Sequence, residues 1–163
     1  KHPNVYIFGA GHVGNALARA FALLPVNAKL IDTRQFELDA APDGVEKVLA
    51  AMPEDIVRTA PSGSAFLVLT HDHALDFLIV REALARVDAS YVGMIGSKSK
   101  RATFKHWYLR EGGTADALAR LVSPIGGAKV NDKRPAVIAA LAACEVMTAL
   151  SKAGASASVS VSA

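Results

Sequence analysis

An open, mostly parallel α/β sheet covered by helices on both faces is the fold this sequence predicts, and three observations carry the expectation. Short apolar runs recur without polar alternation, as in strands buried on both sides. Segments with the apolar spacing of helices lie between them. The first run ends in a glycine-rich turn and the second in an acid, an arrangement with which such sheets hold a ligand at their carboxyl edge.

The elements follow in order. NVYIFG, from Asn4 to Gly9, reads as a buried strand, and Val13 to Leu24 continues with helical spacing before Pro25. AKLIDT, from Ala28 to Thr33, is the second strand; Val45 to Leu49 is a weaker candidate beyond Gly44. FLVLT, from Phe66 to Thr70, precedes a helix over Ala74 to Arg86 with Leu75, Leu78, Ile79 and Leu84 toward one side. YVGMIG, from Tyr91 to Gly96, precedes a helix over Ala102 to Arg110 that gathers Phe104, Trp107 and Tyr108. Pro135 suits a first helical turn, and Ala136 to Leu150 is an apolar helix. Its lack of polar residues places it against the sheet, another subunit or another domain. Domain organisation is therefore expected as one Rossmann-like domain over residues 1–150 and a small-residue tail over 151–163. The tail reads as frayed, with an edge strand over Ser156 to Ala163 as the alternative.

The chain begins at Lys1 and enters a strand almost at once, which reads as a piece cut at a domain boundary. Its 163 residues carry a net charge of +3 and are 52% hydrophobic, values of a globular domain. No secretory arrangement and no long continuous apolar run is evident, so a cytoplasmic protein with no membrane contact is expected. The modest charge does not declare the broad basic face of a nucleic-acid binder. The single cysteine, Cys144, cannot close an internal disulfide and is expected as a buried spectator in its helix.

GAGHVG, from Gly9 to Gly14, matches the Gly-X-Gly-X-X-Gly pattern between a strand and a helix. Gly9 permits the tight turn, Gly11 leaves no Cβ in the way of a pyrophosphate, and Gly14 lets the helix approach the sheet. His12 and Val13 lie inside the turn, where free N–H groups at the helix start face a phosphate; the His12 side chain could orient a phosphate or ring, or face solvent. Asp32, about twenty residues on, is placed to accept hydrogen bonds from ribose hydroxyls, which favours an NAD-like dinucleotide over a 2′-phosphorylated one. Arg34 softens that preference, because its guanidinium could receive a phosphate. An empty turn is the bland alternative.

Thr70 to His73 reads THDH at the carboxyl end of a strand. Thr70, His71 and His73 are candidates for ligand contact or proton transfer, and adjacent residues cannot readily share one metal ion. Asp72 could instead cap the following helix. After Gly96, Ser97 and Lys98 form a donor-rich turn; Lys98 is the first candidate for a phosphate, Arg101 the second, and Lys100 reads as solvated surface. Ser97 could equally cap a helix while the charges face water.

FGAGHVGNALARAF, LIDTR, LTHDHALD, YVGMIGSKSKRATF and SPIGG followed by KRPAVIAALAA together resemble the carboxyl-terminal domain of the xanthine dehydrogenase accessory family, XdhC/CoxI. THDHALD, YVGMIGSK and PIG in that order are the specific part, and the resemblance spans Val5 to Leu150. It implies a maturation chaperone that binds molybdenum cofactor (molybdopterin), supports its sulfuration and delivers it to xanthine dehydrogenase or a related molybdenum hydroxylase. It also implies another domain ahead of this one, and a homo-oligomer is open. On the family pattern Gly9, Gly11 and Gly14 match the glycine turn, Asp32 and Arg34 its acidic end, His71 and His73 the histidine turn, and Gly96, Ser97 and Lys98 the later turn. Pro124, Ile125 and Gly126 match the PIG segment, while Gly127 stands where many relatives carry an aliphatic residue. The expected role is accessory and non-catalytic; an NAD-dependent oxidoreductase and a nucleotide-sensing regulatory module are the alternatives.

Overall fold

The computed structural model describes residues 1–162. Along the chain run β1 (Asn4–Phe8), α1 (His12–Ala22), β2 (Asn27–Asp32), α2 (Gln35–Asp39), β3 (Glu46–Leu49), α3 (Pro53–Thr59), β4 (Ala65–Val68), α4 (His73–Ala85), β5 (Tyr91–Met94), α5 (Lys98–Arg110), α6 (Ala115–Leu118), β6 (Leu121–Val122) and α7 (Pro135–Ser162). Among the described residues the sheet has six strands in the order β3-β2-β1-β4-β5-β6, and each pairing is parallel. The chain reverses its direction of winding between β1 and β4, the switch point at which open sheets of this kind can form a crevice.

The unalternating strands have the expected cause. Val5 and Ile7 of β1 join Ala65 and Leu67 of β4 in a core closed by α1 and α7, through Leu17, Phe21, Ala139, Ala142 and Val146. Tyr6 and Phe8 join Phe66 and Val68 on the opposite face, beneath Val57 of α3, Ile79 and Leu84 of α4, and Phe104 and Tyr108 of α5. Successive side chains serve opposite faces, and both faces are buried. The α5 aromatics do gather: Phe104 stacks on Tyr108 at 5.4 Å, while Trp107 leans on Phe77 at 5.6 Å.

Several expectations change. α5 begins at Lys98 rather than Ala102, because the Ser97 hydroxyl accepts the Lys100 N–H at 3.2 Å and caps the helix. Helix α7 continues through Ser162, where a frayed tail or an edge strand was expected; no proline interrupts Ser151–Ser162, and its alanines favour the helix. Ala163, the end of both tail readings, lies outside the described residues. Cys144 is exposed, not buried, since the α7 stripe that meets α1 runs through Ala139, Ala142, Ala143 and Val146. Over Pro135–Ser156 this helix has a mean hydropathy of 1.6 and the length to cross a membrane, yet its buried stripe belongs to the core. Elements α2, α3, α6 and β6 come from segments without a strong apolar period; β6 is two residues long.

Candidate functional site

The glycine turn departs from β1 at the point where the strand order reverses. Gly9 has φ +122°, and a Cβ there would lie 2.2 Å from the Leu69 carbonyl oxygen. At Gly14 a Cβ would meet the Gly9 carbonyl oxygen at 1.7 Å, so α1 rests directly on the turn. Gly11, the N-cap of α1, has nothing within 4 Å of a Cβ. Two glycines therefore build the turn, and the third leaves open space in front of the first α1 N–H groups. His12 is exposed on the first turn, and Val13 packs partly into the core.

Asp32 ends β2 beneath this turn. Its Oδ2 accepts the Ala10 N–H at 2.8 Å and Arg34 Nη2 at 3.1 Å; its Oδ1 accepts the Arg34 N–H at 2.9 Å and Arg34 Nε at 3.0 Å. Burial pushes the carboxyl up, but the Arg34 fork and the backbone donors of Ala10 and Arg34 outweigh it and hold the group below the usual carboxylate range. Asp32, Thr33, Thr70 and His71 line one side of a slot of about 10 Å³ closed by Pro53 and Leu75.

The histidine turn is organised by two acids. Asp72 caps α4, its Oδ1 accepting the Ala74 N–H at 2.9 Å, which leaves His71 and His73 exposed on either side. Asp76 is fully buried: Oδ1 accepts the Thr70 N–H at 2.8 Å and the Thr70 hydroxyl at 2.6 Å, and Oδ2 faces Lys100 Nζ at 2.6 Å. Lys100 is thus no solvated surface residue; its stem crosses Gly96, where a Cβ would stand 2.4 Å from Lys100 Cδ. Sequence reading missed Asp76 as a structural centre, although an acid four residues after Asp72 and a lysine three residues after a capping serine were both visible.

Gly96, Ser97 and Lys98 line a second crevice of about 470 Å³ beside β5, with apolar walls from Ile95, Pro124, Ile125, Val130 and Ile138 and a second cation in Lys133. Its far wall is the turn over Pro124–Gly127, held from α7 by Glu145, whose Oε1 accepts the Gly126 N–H at 2.8 Å and the Tyr91 hydroxyl at 2.8 Å. Arg101 does not line this crevice: Nη1 donates to the Ser123 carbonyl at 3.1 Å, and the residue lines a neighbouring groove with Lys105 that Lys98 also borders. The predicted residues are therefore brought together in part. Asp32, Thr70 and His71 share the slot with Phe8 of β1; Gly96, Ser97 and Lys98 share the crevice, which β4 separates from β1 and its glycine turn; and His12, His73 and Arg101 line neither.

A strand order of 3-2-1-4-5-6, a glycine turn at the switch point and an acid at the end of β2 define a Rossmann-type fold. Residues 5–146 match the XdhC Rossmann domain, and the chain belongs to that family. Among curated proteins none matches. A crystal structure of a xanthine dehydrogenase from Bacillus halodurans is similar, with TM-score 0.75 and 21% identity over 93% of this chain and 43% of that one. This chain thus spans less than half the length of that relative. The NAD(P)-binding domain of an exopolyphosphatase-related protein from Archaeoglobus fulgidus is similar at TM-score 0.56 and 19% identity over 77% of this chain and 89% of that one. An imine reductase variant from Myxococcus stipitatus in complex with NAD+ reaches TM-score 0.50 and 18% identity over 69% of this chain and 39% of that one. At these identities the likeness is one of fold.

Proposed function

We propose that this domain is the cofactor-binding part of an accessory protein that supports sulfuration of molybdenum cofactor and its insertion into xanthine dehydrogenase or a related molybdenum hydroxylase. The observation that carries the reading is membership of the XdhC family across residues 5–146. The site agrees with a phosphate-bearing ligand: open N–H groups at Gly11 and His12, and an apolar crevice with Lys98 and Lys133 at its rim. A pterin phosphate would be held there by Lys98 and Lys133, with Ile95, Ile125 and Ile138 as the apolar walls. When bound, the molybdenum centre itself would supply the redox chemistry of the recipient enzyme, while these residues bind and orient it. An NAD-like dinucleotide fits the same edge with its adenosine beside Asp32, and this second reading is favoured by that acid.

Transfer to an apo-hydroxylase is the test. The protein, alone and with the domain expected ahead of it, is incubated with molybdenum cofactor and the apo-enzyme, and recovered hydroxylase activity is measured beside mass spectrometry of ligand released from the purified protein. Stimulated recovery with a released pterin supports the chaperone reading. A released nicotinamide dinucleotide without stimulation overturns it in favour of the second.

A further inference from the structure

Arg34 stands on Asp32 where a ribose would. Each carboxylate oxygen of Asp32 already holds two donors, Arg34 Nε and the Arg34 N–H on one, Arg34 Nη2 and the Ala10 N–H on the other. A carboxylate offers about four acceptor positions, so all are filled. The Asp32 side chain is 3% exposed, which leaves no approach for a ligand while the fork is in place. The 2′- and 3′-hydroxyls of a ribose are a pair of neighbouring donors, as are Nε and Nη2, so the diol and the guanidinium compete for the same two positions.

While it holds Asp32, the guanidinium already borders a second set of groups, onto which it need only pivot. Glu37 Oε1 lies 3.7 Å from Nη1, and the Arg34 carbon centre is 5.7 Å from the ring of Phe36, a residue 65% exposed. The slot above Asp32 measures about 10 Å³, far below the volume of a purine nucleoside, so filling it requires movement of its walls. We infer that Arg34 is an internal lock on the adenosine half of the site: it stays on Asp32 when no nucleoside is bound, and a ribose with both hydroxyls free displaces it toward Phe36 and Glu37. The inference rests on the nucleotide reading of the glycine turn. The lock lowers affinity for any ligand that uses the diol, because that ligand must first break a two-point charge-assisted pair. It leaves binding through phosphate alone unaffected.

Calorimetric titration of wild type, Arg34→Ala and Arg34→Lys with ADP and with 2′,3′-dideoxy-ADP tests this. ADP should bind Arg34→Ala about tenfold more tightly than wild type. Arg34→Lys, which keeps the charge but not the fork, should gain less, and the dideoxy analogue should bind all three proteins alike. ADP binding to the variants that equals or falls below wild type overturns the lock while the nucleotide reading stands. An equal gain for the dideoxy analogue overturns it as well, since the diol would then play no part. Absence of ADP binding in all three overturns the nucleotide reading and the lock with it. Thermal unfolding checks that the variants are folded, and Arg34→Lys carries the comparison if Arg34→Ala is not.

Discussion

Lys100 Nζ lies 2.6 Å from Asp76 Oδ2, with 5% and 0% of the two side chains exposed. The pair joins the turn after β4 to the turn after β5, because the other Asp76 oxygen holds both the N–H and the hydroxyl of Thr70. Breaking such a pair from one side leaves a buried charge without its partner. Lys100→Met should therefore reduce stability by about 3 to 5 kcal/mol in urea unfolding, and Asp76→Asn combined with Lys100→Met, which keeps an acceptor for Thr70 and removes both charges, should restore much of the loss. A single variant as stable as wild type would show that the pair does not bind the two turns together.

The glycine turn separates folding from binding. Gly14→Ala would drive a Cβ into the Gly9 carbonyl, and Gly9→Ala would combine a clash at Leu69 with φ +122°, so each should destabilise by about 2 kcal/mol or more. Gly11 meets nothing within 4 Å. Gly11→Leu should stay within about 0.5 kcal/mol of wild type yet bind ADP at least about tenfold more weakly, because its side chain fills the space in front of the α1 N–H groups. Equal ADP binding by calorimetry would remove the glycine turn from the site.

Much of this arrangement was legible in the sequence, and the limits have physical causes. The strands after which the ligand edge forms were visible because parallel strands buried on both faces read as unbroken apolar runs, as NVYIF and YVGM do. Positions of candidate residues followed from those strands, since they lie at a carboxyl end or in the helix that follows it. What a side chain does there was less legible. Lys98, Lys100 and Arg101 stand within one helical turn, and only their rotation about α5 sends Lys98 to the crevice, Lys100 into the interior and Arg101 to Ser123. Asp32 was expected at the end of the second strand, where β2 does end, but its fork to Arg34 depends on side-chain direction, which spacing does not encode. Edge elements such as β6 bury too little to leave an apolar period.

Acid should weaken the fold through lowered carboxylates, of which Asp32 and Asp88 can be compared directly and Asp132, paired with Arg134 at the surface, is the third. Asp88 is lowered from 3.8 to about 2 by the Arg86 fork, and Asp32 is lowered in the same direction by Arg34 and the backbone donors against the effect of burial. A depressed native value means stability that is full above the ordinary carboxylate value and is lost as pH falls through the native one. Stability should thus decline below about pH 4 and continue to fall toward pH 2. Asp88 is exposed enough that its share is well under about 1 kcal/mol, so Asp32→Asn should flatten this acid limb more than Asp88→Asn. Urea midpoints measured at successive pH values check the order, and a steeper effect of Asp88→Asn would reverse it.

Glu145 holds the crevice wall in place from α7, the helix that also contributes Ile138 to the crevice. Its Oε1 accepts both the Gly126 N–H and the Tyr91 hydroxyl, each at 2.8 Å. Burial pushes the Tyr91 hydroxyl above its ordinary value of 10.0, and the neighbouring Glu145 charge pushes it further. Glu145→Gln keeps an acceptor and removes the charge; Glu145→Ala removes both. Amide exchange at Gly126 should stay near wild type in the first variant and speed up by about fivefold to tenfold in the second, as expected for the loss of one hydrogen bond. A tyrosine transition displaced to high pH should move down in both variants without returning to 10.0, because burial persists. Ligand retention should follow the exchange rate rather than the titration, since the turn and not the charge forms the wall. Unchanged exchange at Gly126 in Glu145→Ala would mean that the Pro124–Gly127 turn holds its shape without α7.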